Sequence, residues 1–153
     1  MVNIPPEIYK SISEIKLKRG DVIKTVIKFR NDDIERPKFF ILVSQNVKAE
    51  CLLFVITTSK IEFFNNNPQF SHDILRIAAN QLFFFPKETI IDCRHPHPIT
   101  KKELLKNFQE RKLEFSGNLS PLYLKRIDEI IRNSRYISPK TKKLILGNPF
   151  SKS

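Results

Sequence analysis

Apolar positions concentrate in two runs before the chain's midpoint, Phe39 to Val43 and Cys51 to Ile56, separated by a polar connector. A connector this short makes the flanking strands antiparallel, so the pattern predicts a hairpin over residues 36–60. Neither run alternates with polar residues. Strands of that kind are covered on both faces, here by a barrel interior on one side and a helix or a second subunit on the other. Arg36-Pro37 opens the first strand, because proline holds its predecessor out of the helical region and itself suits a strand start or edge. Thr57 closes the second strand. Antiparallel pairing then makes Arg36 and Thr57 neighbours at one end of the hairpin.

The rest of the pattern supplies shorter elements. Ile8, Ile12 and Ile15 recur at helical spacing after Pro5-Pro6 and predict an amphipathic helix over residues 6–16. Arg19-Gly20-Asp21 breaks it, Asp21 to Phe29 is rich in β-branched residues and predicts a strand, and Asn31-Asp32-Asp33 turns the chain. Asn65 to Pro68 marks an exposed loop, and Asp73 to Ala79 fits a strand or a short helix equally. Leu82 to Phe85 is apolar, but Phe83, Phe84 and Phe85 cannot all point inward from a strand; at least one packs on a helix, a partner or a base. Glu88 to Cys93 predicts a strand and Arg94-His95-Pro96-His97-Pro98 an extended connector. Thr100 with Glu103 forms a capping box that starts a helix at Lys101. A last strand spans Leu113 to Leu119. Ser120-Pro121 and Ser138-Pro139 each pair an N-cap with proline at the first helical position. The first of these helices carries Leu124, Ile127, Ile130 and Ile131 on one face, and Gly147 stops the second. The sum is a mainly β fold, a small barrel over 20–136, with a helical extension over 1–19 and a basic helix and tail over 137–153.

Composition adds a partner class. At 153 residues, 41% hydrophobic and 28% charged, the chain builds a real core and is not disordered as a whole. Its net charge of +11 favours a polyanionic partner. Residues 101–153 hold 13 basic and 5 acidic side chains, against 14 and 11 in residues 1–100, so the C-terminal third is the basic part. A lysine-rich coding bias would raise charge without any function. Cys51 and Cys93 both fall in apolar segments and serve as small packing residues. The first twenty residues lack the apolar core of a signal peptide, and no run reaches the length of a membrane helix, so a cytoplasmic location and no membrane partner are expected. Three glycines and no Gly-rich phosphate loop argue against nucleotide-binding motifs of that kind. No metal-ligand spacing is present. His95 and His97 lie two apart on an extended segment; they are foremost proline-flanked surface histidines, then an acid or base pair, and last a metal pair.

Taken in order, Gly20-Asp21 with its strand, RPKFFILVS, the strand ending VITTSK, ETIIDC followed by ITKKEL, and Leu119-Ser120-Pro121 resemble the PemK/MazF family of toxin ribonucleases over residues 20 to 134. The resemblance implies an SH3-like barrel acting as a homodimer. It further implies cleavage of single-stranded RNA by 2′-OH attack without a metal or other cofactor, and inhibition by a cognate acidic antitoxin. The family's catalytic Arg before Pro and Thr at the following strand end fall on Arg36 and Thr57. Arg30, Thr58, Ser59, Lys60, Arg94 and His95 fall at or beside the implied substrate rim. The pair makes chemical sense, since a guanidinium beside a scissile phosphate stabilises developing charge and a threonine hydroxyl donates to a non-bridging oxygen. The segment from Arg30 to Glu35 is shorter and poorer in glycine than the family's loop, which often carries an assisting acidic residue; Asp32, Asp33 and Glu35 are the candidates to substitute for it. Two rivals remain: a non-catalytic RNA- or protein-binding module on the same barrel, and a gyrase poison, which the absence of tryptophan ranks last. In structural terms alone, Arg36 is a salt-bridge partner of its acidic neighbours and Thr57 a β-branched strand residue.

Overall fold

The computed structural model describes residues 17–27 and 36–147. The helix expected over 6–16, the turn at 31–33 and Arg30 lie outside them. Six strands form one antiparallel sheet: β1 (Asp21–Val26), β2 (Pro37–Leu42), β3 (Cys51–Thr58), β4 (Ile74–Ile77), β5 (Thr89–Thr100) and β6 (Leu113–Asn118), in the order β4-β5-β3-β2-β1-β6. Helices α1 (Ile61–Asn65), α2 (Lys101–Gln109), α3 (Pro121–Asn133) and α4 (Pro139–Leu146) pack around it, with a 3-10 turn over Pro68–Asp73. The fold is mainly β, as the pattern predicts. Among the described residues the hydrogen-bonded ladder is open, however: β4 and β6 are its edges and each pairs with a single described strand.

Helices supply the closure that a barrel would obtain from its own strands. The central hairpin pairs Phe40 with Ile56, Ile41 with Val55 and Leu42 with Phe54, so successive residues feed opposite faces. On one face Val22, Ile41, Val55, Ile91 and Cys93 meet Ile127 and Ile131 of α3 and Ile145 of α4. On the other, Ile23, Phe40, Leu42, Phe54 and Ile99 meet Leu104 of α2. This double cover explains the unbroken apolar runs. A separate small cluster, Phe64, Ile74 and Ile90 with Phe70 against it, lies where α1 and the 3-10 turn cover the sheet.

Polar ties fix the helices in place. Arg19 makes a two-pronged ion pair with Asp128 of α3 (2.5 and 3.3 Å) while its Nε donates to the Val43 carbonyl at 2.7 Å. Asn107 of α2 donates to Thr25 Oγ1 and the Val26 carbonyl, both at 3.0 Å. Gly20 begins β1 at φ +91°, a conformation that favours glycine, and a Cβ there would also lie 2.9 Å from Leu124.

Two sequence expectations need correction, and the aromatic run 83–85 splits between inside and outside as expected. The Arg94 to Pro98 segment is not a connector but part of β5, whose pairing with β3 jumps from Ile56–Asp92 to Phe54–His97. Val55 therefore faces four β5 residues, a wide bulge that accommodates Pro96, which has no N–H to give a ladder. Cys51 is exposed at the start of β3 rather than packed, whereas Cys93 is buried and burial pushes its thiol pKa up. Phe83 is 83% exposed, while Phe84 and Phe85 are buried in the turn between β4 and β5.

Candidate functional site at the end of the hairpin

The hairpin rim carries a cleft of about 300 Å³ where β3 runs out into α1. It is a polar seam between two apolar clusters on one face of the sheet. Lys38 of β2, Thr57 and Thr58 of β3, Lys60, and Asp92 and Arg94 of β5 line it, with Phe63 of α1 on its wall. Sequence places these residues together for a simple reason. The register brings β2 and the exit of β3 side by side, and Thr58 pairs with Ile90 just before Asp92.

Thr57 is buried, its hydroxyl donating to the Phe39 carbonyl at a long 3.4 Å. Thr58 Oγ1 accepts from the Lys60 N–H at 3.1 Å, which turns the chain into α1 and brings Lys60 to the cleft. Ser59 is exposed in that turn and does not line the cleft. Arg36 is exposed and is likewise not among the lining residues, so the expected meeting of Arg36 and Thr57 is not formed within this cleft. The register explains the separation: residues 36 and 57 lie on the same side of the Phe40–Ile56 pair, but four residues and one residue beyond it, so Thr57 stands by Phe39 rather than by Arg36. The cations that line the cleft with Thr57 and Thr58 are Lys38, Lys60 and Arg94.

Arg94 is already engaged. Its Nε and Nη2 donate to the two Asp92 oxygens at 3.0 and 2.9 Å, and its guanidinium lies 4.2 Å from the Phe70 ring centre, with Phe64 at 5.3 Å and Phe63 at 5.9 Å. The Asp92 hydrogen bond is the main reason its pKa is raised further. The group is thus a fixed cation rather than a free reader of substrate. His95 is exposed, its ring 6.1 Å from Tyr136, outside the cleft. His97 sits half-buried by Phe40, and burial lowers its pKa, against an opposing pull from Glu103. Among the described residues no group of three or more acidic, His or Cys side chains is arranged to hold a metal ion.

Lys38, Phe63 and Asp92 were not marked as site residues by sequence. Asp92 had a signal: Asp92 and Arg94 stand two apart in an extended segment, so their side chains share a face. A second and larger cleft, about 780 Å³, lies between the Pro68–Asp73 turn with β4 and the C-terminal half of α3. Nothing in the sequence marked it, because its walls come from segments some 50 residues apart.

No helix among the described residues is long and apolar enough to cross a membrane. Compared with family models, characterised proteins and solved structures, the chain matches none.

Proposed function

We propose that this chain acts on single-stranded RNA at the hairpin cleft, as a metal-independent endoribonuclease of the PemK/MazF toxin type. The observation that carries the reading is the cleft itself, which Lys38 and Lys60 line together with Thr57 and Thr58 at the end of β3. Two ammonium groups and a hydroxyl donor are what a phosphodiester needs to be held and its developing charge balanced. The net charge of +11 supports a polyanionic substrate. The resemblance supplies the remainder: 2′-OH attack, a cytoplasmic homodimer, and a separate acidic antitoxin. The SH3-like reading of the sheet rests on that resemblance too, with the open ladder as a partly unrolled form.

A specific observation favours a second reading. Arg36 stands outside the cleft and Arg94 is bound to Asp92, so the described residues hold RNA better than they activate it. That is the non-catalytic binding module.

One experiment separates the two. Mixed RNA incubated with excess chelator is expected to yield fragments ending in 2′,3′-cyclic phosphate, lost in Arg36→Ala and reduced in Lys60→Ala. Retarded mobility with intact RNA, weakened by Lys60→Ala, selects the binding module. No retention of RNA even at low salt overturns both.

A further inference from the structure

We infer that the 780 Å³ cleft between the Pro68–Asp73 turn and α3 is a nucleotide subsite in which the Asp73 carboxylate reads the amino edge of a guanine. The inference deepens the RNA reading and rests on it for the polymeric substrate.

Asp73 is the unusual residue. It is only 8% exposed, it lines the cleft, and it makes no hydrogen bond or ion pair to any described residue. No buried side-chain polar atom among the described residues lacks a partner, so the Asp73 oxygens still reach solvent where the residue lines the cleft, and from that side a ligand can bring donors to this largely buried acceptor pair. Around it, Arg126 and Arg135 line the same cleft from exposed positions and form no ion pair with described residues; Glu129 is the one exposed carboxylate beside them. The inner end is therefore acidic and the rim basic. A ligand that fits both ends carries hydrogen-bond donors at one end and an anion at the other. A nucleotide does, with its base inward and its phosphate at the arginines.

The base follows from the donor pattern. A carboxylate offers two acceptor oxygens side by side. Guanine presents N1–H and N2–H2 side by side, which satisfies both. Adenine and cytosine set an amino group beside a ring acceptor, and uracil sets N3–H between two carbonyls, so each places an acceptor against the carboxylate. Tyr136, which also lines the cleft and is 47% exposed, offers a stacking face. It also links the two clefts: Phe70 lies 5.9 Å from Tyr136 and 6.2 Å, stacked, from Phe63 on the wall of the hairpin cleft. An RNA strand crossing this aromatic bridge would set a phosphate at Lys38 and Lys60 and a nearby guanine at Asp73.

The test uses the full chain with guanosine and adenosine 5′-monophosphates in calorimetry, and with labelled hexanucleotides of uridine with or without one guanosine. The expected result is a preference of about tenfold for the guanine ligand in both formats, the size of one well-made base contact. Asp73→Asn levels the preference, since its amide keeps only one acceptor, and Arg126→Ala weakens both mononucleotides while keeping their ratio. Equal binding of the two mononucleotides, binding of neither, or a preference that survives in folded Asp73→Asn overturns the inference. If Asp73→Asn does not fold, the decision passes to Arg126→Ala at its exposed position, where unchanged binding of the guanine nucleotide overturns the subsite. Hexanucleotides that bind through Lys60 without distinguishing guanine leave the RNA reading standing and remove the subsite. Discrimination between mononucleotides without hexanucleotide binding does the reverse.

Discussion

At Gly117 there is no room for a methyl group: a Cβ would lie 2.7 Å from both Cδ1 and Cε1 of Phe84 and 3.3 Å from Cζ of Phe83. Phe84 cannot easily withdraw, because its ring is packed edge-on at 4.7 Å from Phe85, which is itself packed edge-on at 5.1 Å from Phe39. Gly117→Ala is therefore expected to cost about 1–3 kcal/mol in urea unfolding, the range for overpacking. Adding Phe84→Ala should return part of that loss, and a strictly additive double variant would rule out the steric cause. His97 makes a pH-dependent contribution of definite sign. Burial holds its folded pKa below the ordinary 6.5, so the unfolded chain takes up the proton first. Stability is at its full level above about pH 6.5 and falls as pH drops through that value towards the lower folded one. His97→Asn should lose this part of the slope, read as the difference in urea midpoint between about pH 7.5 and about pH 5. Equal slopes for the two proteins would contradict it.

Among the elements, α2 owes its start to a reciprocal cap. Thr100 Oγ1 accepts from the Glu103 N–H at 3.1 Å, and the Glu103 carboxylate accepts from the Thr100 N–H at 3.4 Å. Thr100→Ala should lower stability by about 1 kcal/mol, and calorimetric unfolding with no shift would show that tertiary contacts alone set the helix start. Local rules of this kind made much of the fold legible. The capping box, the two Ser-Pro helix starts, Gly147 and the hairpin all depend on residues close in sequence, and the structure places each element where those residues put it. What stayed hidden depends on distant partners. β4 is a four-residue strand that exists by pairing with the first third of β5. α1 is five residues long, too short to show a period, and is held by Phe64 against Ile74 and Ile90. The candidate site divides the same way: Thr57 and Thr58 at a strand end were readable, whereas Lys38 joins them only through the register, and Asp73 and Arg126 come to line one cleft only through tertiary packing.

Over the whole molecule, the positive charge is either a diffuse field or a set of placed contacts, and salt distinguishes them. Each phosphate contact on single-stranded RNA adds about 0.7 to the slope of log affinity against log salt. Lys60→Ala should shallow that slope by about this amount, while Lys140→Ala, an exposed α4 residue outside both clefts, should leave it unchanged. Equal effects of the two would show that the field acts without a site. The bulge of β5 bears on the molecule at the same scale. Asp92 and His97 are an odd number of residues apart, yet both pair with β3 residues that share a face, Ile56 and Phe54. The three inserted residues thus reverse the alternation halfway along the strand, so Ile90 before it and Ile99 after it face the same side. Length changes here obey parity. Removing one residue between Cys93 and Pro96 would send Ile99 out of its cluster and turn the α2 start to the wrong face, whereas removing two would keep the phase, so insertions and deletions tolerated in this strand should come in pairs.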